Sequence, residues 1–329
     1  MDPFENVEFG ASGVTVTRLG MGLAPIGGLF TPVGDEAAVE AIDTAWRLGV
    51  RFFDTAPLYG AGLSERRAGA ALRKRSDFTL STKVGRRLVP RAGPPEPDIW
   101  AEPTGCTPVF DFTAEGTRSA YEESLNRLGL DRIDVLHLHD PDSHFDEALA
   151  GALPVLAGLR KDGVIRAVSA GMNQSRMLTE FVRTGLLDCV LLAGRYSLLD
   201  QSGLADLLPE CERRGVSVIV GGVFNSGVLA DPWNTKIYEY RQAAPEIAAR
   251  AQAMARLCER HGVPLRAAAM QFPLAHPAVT SVLVGMRSAE EVADAAAMAR
   301  LPIPDGLWRD LANAWLLADD IPVPSSELR

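Results

Sequence analysis

Cysteine is scarce in this chain: Cys106, Cys189, Cys211 and Cys258 are scattered over 329 residues with no CxxC pair. That pattern excludes a disulfide framework and offers no structural zinc set, so the thiols read as ordinary buried or surface side chains. Long apolar runs are also missing. The longest stretches, such as Val216–Val220, fall far short of the ~20 residues a membrane helix needs. The first ten residues, MDPFENVEFG, are acidic and lack the apolar core of a signal peptide, so a cytoplasmic location is expected. Cations are outnumbered, 33 Lys and Arg against 42 Asp and Glu, and no basic cluster stands out. Nucleic acid and anionic membranes are poor partners for such a surface. A glycine-rich GxGxxG turn is absent as well: the early segment Met21–Gly28 reads MGLAPIGG, which argues against a doubly wound dinucleotide fold. No repeat of 20–50 residues is visible, which disfavours solenoids and propellers.

What is present is an ordinary globular composition, 47% hydrophobic and 23% charged, in which β-rich runs alternate with amphipathic segments. FGASGVTVT reads as a hairpin, with Gly10 and Gly13 at its turn. Strands are expected at Arg18–Gly22, Arg51–Asp54, Phe78–Lys83, Ile133–His139, Ile165–Ala170, Cys189–Ala193, Val216–Val220 and Ser281–Val284. Helices fall between them: Glu36–Leu48 closed by Gly49, Ser64–Leu72, Ala114–Leu128 closed by Gly129, Phe145–Arg160, Met177–Thr184, Leu204–Arg214, and one from Ser288 to about Ala299. Eight such units in one chain predict a single α/β domain over residues 1–329, a (β/α)8 TIM barrel with an N-terminal β-hairpin. Two stretches, Arg86–Phe112 and Asp231–Pro245, break the rhythm and read as long irregular loops over the C-terminal face. Their aromatics, Trp100 and Phe110 in one and Trp233, Tyr238 and Tyr240 in the other, read equally as ligand packing and as loop anchors.

Polar residues close three successive expected strands: Asp54 ends RFFD, Lys83 ends TLSTK and His139 ends VLHLH, with Tyr59 just beyond Asp54 in DTAPLYG. In a parallel barrel these ends meet on the rim where catalytic groups gather. A tyrosine near pKa ~10 is a poor acid/base at neutral pH, and a buried lysine beside it would lower that value. The lysine then needs a carboxylate, which Asp54 supplies, and His139 is placed to hold a substrate oxygen. His137, two residues earlier on the same strand face, reads as a core histidine; zinc between His137 and His139 lacks a third ligand.

These segments resemble the aldo-keto reductase family. The likeness runs through FFDTAPLYG (Phe52–Gly60), LSTKVG (Leu80–Gly85), DVLHLHDPD (Asp134–Asp142), GVIRAVSAGMN (Gly163–Asn173), GVFNSGVLA (Gly222–Ala230) and LVGMRSAEEV (Leu283–Val292), and so covers almost the whole chain. The resemblance implies Asp54, Tyr59, Lys83 and His139 as a catalytic tetrad and a nicotinamide cofactor held in the barrel mouth. Gly171 and Met172 stand where the family commonly has a Ser-Asn pair, which leaves Asn173 as the replacement. Gly221 stands where an aromatic ring usually stacks, and Phe224 is either its substitute or core. Asn225 and Gly227 in the FNSG turn are expected near a pyrophosphate, and Gly285, Arg287 and Glu291 near the adenosine half. Ser288 and Glu291 also read as a helix capping box. A carboxylate at Glu291 repels a 2′-phosphate and favours NAD, while Arg287 keeps NADP open.

Within the family, HDPD, LLAGRYSLLDQ (Leu191–Gln201), GVFNSG and QFPLAHP (Gln271–Pro277) are most similar to bacterial aldose 1-dehydrogenases acting on L-fucose and related sugars, and to pyridoxal 4-dehydrogenases. Either reading implies oxidation of a ring hemiacetal to a lactone. Asp140 and Arg195 suit a polyhydroxy substrate, and Asp140 equally suits a loop cap. General aldehyde or ketone reduction, or a non-enzymatic cofactor-sensing subunit, are the competing readings. Oligomeric state is not legible here.

Overall fold

In the computed structural model, eight parallel strands close on themselves. It describes residues 2–93, 99–102, 104–235 and 237–325. The strands are β1 (Leu19–Gly22), β2 (Phe52–Asp54), β3 (Thr79–Val84), β4 (Val135–His139), β5 (Ala167–Met172), β6 (Cys189–Ala193), β7 (Ser217–Gly221) and β8 (Val279–Gly285). They pair in chain order, and β8 returns to β1 with Val282 beside Leu19. The predicted barrel is therefore correct, and each strand lies within two residues of its expected ends.

Alternation along the strands sorts the interior. Phe52, Val135, Ala167, Cys189, Ile219 and Leu283 form an apolar inner layer, and Phe9, Val14 and Val16 of the N-terminal hairpin pack against it from below. The hairpin pairs Asn6–Glu8 with Thr15–Thr17 and is docked at the strands' N-terminal ends, where the Gly10 amide donates to Ser217 Oγ at 2.8 Å. Gly10 has φ +49°, and a Cβ there would sit 2.5 Å from the Gly215 carbonyl, so no other residue fits without movement. Two residues further along the same inward parity come Asp54, His137 and Ser169, and the interior changes from apolar to ionised within one pleat. The larger core fills the space between the strands' outer faces and the helices.

Within the stretch 86–112 the described residues include a regular hairpin ladder. Arg86–Pro90 and Cys106–Phe110 pair as an antiparallel ladder running from Arg86 opposite Phe110 to Pro90 opposite Cys106. Prolines inside both runs hid its alternation from the sequence. Helices at Pro245–Arg260, Leu265–Gln271 and Asp305–Asn313 were also unread; the first begins with Pro245 in the first turn, where its missing N–H costs nothing. The helix expected over Phe145–Arg160 is interrupted by a π turn at Ala148–Ala152. Among the described residues no helix is long and apolar enough to cross a membrane.

Candidate active site

The register of β2, β3 and β4 sets the site. Asp54 lies opposite Ser81, and Lys83 opposite His137, so that the inward residues climb one strand at a time toward the mouth. Lys83 Nζ donates to Asp54 Oδ2 at 2.6 Å and to the Thr55 carbonyl at 2.8 Å, with both side chains 2% exposed or less. Ser81 Oγ donates to the other carboxylate oxygen at 2.6 Å, and His137 Nε2 stands 3.5 Å from it. A buried ion pair survives only when its remaining hydrogen-bonding capacity is met, and Ser81 and Thr55 meet it here. Ser81 went unnoticed in the sequence, although its two-residue spacing from Lys83 was the available signal.

Tyr59 arrives from the loop after β2. That loop is packed tightly against the loop after β1: Gly60 has φ +59°, and a Cβ on it would fall 2.1 Å from the Gly27 carbonyl. Ser64 Oγ fixes the helix that follows by donating to the Leu23 carbonyl at 2.8 Å. The phenol ring then lies 4.7 Å from Lys83 Nζ, 5.9 Å from the His139 ring in an edge-on contact and 5.7 Å from the Trp100 ring. The four residues expected to converge do so.

Their electrostatics differ from expectation at one point. Lys83 does not pull the Tyr59 phenol toward ionisation. Desolvation by the surrounding protein is the main cause that pushes its pKa well above the ordinary tyrosine value, and the Asp54 charge adds to it. The lysine's charge is answered by Asp54 at 2.6 Å, which leaves little of it to act on the phenol. His139 is shifted the other way. Burial, then Lys83 and Arg86, hold its imidazole well below the usual histidine range, so it is neutral at pH 7. Its Nδ1 has no hydrogen-bond partner among the described residues. A neutral imidazole set edge-on to a protonated phenol forms a pair that can hold one oxygen atom. Both His137 nitrogens lack hydrogen-bond partners too, and among the described residues no group of three side chains fits a metal ion.

A cavity of about 730 Å³ opens beside the phenol and extends from Asp54 and Tyr59 to Arg287, Glu291 and Asp294. That volume lies within the ~300–1,000 Å³ typical of small-molecule sites. Asn173, Phe224, Asn225, Gly227, Gly285 and Arg195 all line it. Phe224 lines the cavity and also packs against the main core. The Asn225 side chain is spent inside the protein: Oδ1 accepts from Ser197 Oγ at 2.6 Å and Nδ2 donates to the Gly194 carbonyl. The amides of Asn225 and Gly227 likewise close turns within their own loop. Gly221 leaves space in the wall, for an added Cβ would meet only Leu191 at 3.5 Å.

At the far end, Glu291 accepts from the Arg287 amide at 2.9 Å, and its other oxygen lies 3.4 Å from the Arg287 guanidinium. Ser288 caps the helix by accepting from the Glu291 amide, as the capping-box reading required. Arg287 also donates to the Thr31 hydroxyl on the loop after β1. Arg266 forms a two-pronged pair with Asp294 at 2.7 Å. Two cations therefore face three carboxylates there, Glu290 being the third.

Asp140 and Arg195 are both engaged. Asp140 has φ +44°, pairs with Arg86 at 3.0 Å and stands 3.6 Å from His139 Nε2. Burial raises its pKa, against the opposing pull of Arg86. Arg195 is a strut: it holds Asp200 at 3.1 Å, the Asn173 carbonyl at 3.1 Å and Glu239 of the Asp231–Pro245 stretch.

Residues 18–315 match the sequence model of the Aldo/keto reductase family. A D-threo-aldose 1-dehydrogenase from Pseudomonas sp is 42% identical over 317 residues, 93% of this chain and 96% of that protein. A pyridoxal 4-dehydrogenase from Microbacterium luteolum is 38% identical over 95% of this chain and 98% of its own length. Among solved structures, a glycerol dehydrogenase from Gluconobacter oxydans superimposes with a TM-score of 0.76 at 23% identity, over 98% of each chain.

Proposed function

The chain belongs to the aldo/keto reductase family, and from that premise we propose that it oxidises the C1 hemiacetal of an aldose of the L-fucose, D-arabinose or L-galactose type to a lactone, with NAD as acceptor. It is an oxidoreductase, and the family works with nicotinamide cofactors. The observation that carries the reading is the buried Lys83–Asp54 pair next to Tyr59, with the neutral His139 ring edge-on to the phenol.

The cavity fits the cofactor. Its open wall at Gly221 and its length from Tyr59 to Glu291 suit a ring at one end and an adenosine at the other, with Asn173, Phe224 and Gly285 along the way. When bound, the nicotinamide supplies the acceptor for the hydride leaving C1. The hydroxyl proton goes to Tyr59, and the C1–O bond becomes the lactone carbonyl. Neutral His139 orients the oxygen, and Lys83 is held in place by Asp54, Ser81 and the Thr55 carbonyl. The acidic surplus at the adenosine end supports NAD over NADP, because a 2′-phosphate would add two further charges among Glu290, Glu291 and Asp294. With L-fucose, D-arabinose, L-galactose and pyridoxal each crossed with both cofactors, at least one sugar is turned over with kcat/KM for NAD tenfold or more above NADP. Equal use of both cofactors, or no sugar turnover, sinks that part of the reading. Pyridoxal is the second substrate to test because the 38%-identical relative bears its name and its aldehyde closes to the same kind of ring hemiacetal.

The raised Tyr59 pKa has a direction that can be measured. A neutral phenol is ready to donate, so reduction of the carbonyl needs no change of state. Oxidation needs the phenolate, whose fraction below its pKa grows ~tenfold per pH unit. We expect kcat/KM for oxidation to rise with a slope near one between about pH 7 and 9, while reduction stays flat. An oxidation profile that is level across that range contradicts the assignment of the proton to Tyr59.

A further inference from the structure

Trp100 is an aromatic side chain that neither the hydride step nor the cofactor cavity uses. We propose that it is the specificity-determining wall of the substrate site, the surface on which the C–H face of a cyclic hemiacetal rests; this depends on the functional reading above.

The phenol of Tyr59 has two ring neighbours among the described residues, His139 and Trp100. A substrate oxygen held between Tyr59 and His139 places its ring within one ring's width of the phenol. At 5.7 Å from that phenol and tilted 35° to it, the indole is the large apolar surface such a ring meets. Trp100 remains only partly buried, so it keeps area to offer. Beyond His139 lie Asp140 and Arg86, paired at 3.0 Å. The site thus presents an aromatic wall by the phenol and a charged hydrogen-bonding pair beyond His139. A sugar ring or a cyclised pyridoxal has both complements, an apolar face and hydroxyls at its edge. A small open-chain carbonyl has neither.

The indole is held in position from behind. Its segment is stitched to the loop after β1 by Phe30 donating to the Ile99 carbonyl at 2.7 Å, and by Ala101 donating to the Gly28 carbonyl at 2.9 Å. Two residues on, Glu102 pairs with Arg67 at 3.1 Å and accepts from the Val33 amide at 3.1 Å. Arg67 is 5% exposed, lies on the helix that follows Tyr59, and also donates to the Ile26 carbonyl at 2.6 Å. Trp100 is thereby located relative to Tyr59 by a charge pair whose Arg67 side is buried and whose Glu102 side is partly exposed, and Glu102 is a positioning residue.

The test is steady-state kinetics of the full chain saturated with NAD, using L-fucose and pyridoxal. Trp100→Ala raises KM for the ring substrate about tenfold or more with kcat within threefold, the loss expected when a stacking surface is removed. Trp100→Phe brings KM back to within threefold of the wild type. Glu102→Gln raises the same KM by a smaller factor and leaves the KM for NAD unchanged. A Trp100→Ala KM within threefold of the wild type, or a loss confined to kcat, overturns the inference while the functional reading stands. Failure of the wild type to oxidise either ring hemiacetal overturns the functional reading, and this inference with it.

Discussion

Tyr59→Phe lowers kcat by about 10²- to 10⁴-fold in both directions, the range that positioned acid/base groups contribute. The variant isolates one atom. The ring keeps its edge-on contact with His139, its packing against Trp100 and its place 4.7 Å from the Lys83 ammonium, so the wall of the cavity is unchanged. KM for NAD and thermal stability therefore stay close to the wild type. Steady-state rates of oxidation and reduction, with melting temperatures alongside, check all three expectations. A Tyr59→Phe enzyme retaining more than a tenth of wild-type kcat rules out the phenol as the proton carrier. Because the loss follows the proton and not the pocket, it also separates catalysis from the cofactor-sensing alternative, in which this substitution would be nearly silent.

Lys83→Met is expected to act mainly on the fold. Removing the ammonium leaves Asp54, 1% exposed, with its carboxylate answered only by Ser81 Oγ at 2.6 Å and by His137 at 3.5 Å. Breaking a buried pair from one side costs ~3–5 kcal/mol, a large share of the ~5–15 kcal/mol that stabilises most proteins. Replacing both partners, Asp54→Leu with Lys83→Met, removes the orphaned charge and recovers much of that loss. Activity returns in neither variant, since the support beneath Tyr59 is gone. Thermal unfolding of the wild type, the two single variants and the double variant forms a complete cycle. A double variant less stable than Lys83→Met alone contradicts the view that the stranded carboxylate is what destabilises it.

Much of this site was legible because barrel strands write their inward faces at every second residue. Phe52 and Asp54, Ser81 and Lys83, and His137 and His139 each keep one parity, and a parallel barrel brings their ends to one rim. Spacing alone could not show what long-range contacts decide. Arg195 reads as a free cation near the mouth, yet Asp200, Glu239 and the Asn173 carbonyl already hold it. The FNSG turn reads as a row of donors, yet two of its amides close the turn itself. Lys83 reads as a charge that lowers the Tyr59 pKa. Desolvation outweighs it, and desolvation depends on how deeply the loops bury the phenol, which no local pattern records. Trp100 was visible only as an aromatic in a long insertion, because the pair that anchors its segment joins Glu102 to Arg67, 35 positions away in the chain.

The hairpin at the foot of the barrel also governs traffic. Phe9, Val14 and Val16 lie against an apolar inner layer that includes the Cys189 thiol, which burial keeps protonated with its pKa pushed up to about 12. An apolar floor therefore lies below Lys83, Asp54 and His137, and the cavity that opens beside Asp54 and Tyr59 is the wet side of the site. Substrate and cofactor that fill that cavity take the place of the water which reaches Asp54 and Tyr59 through it.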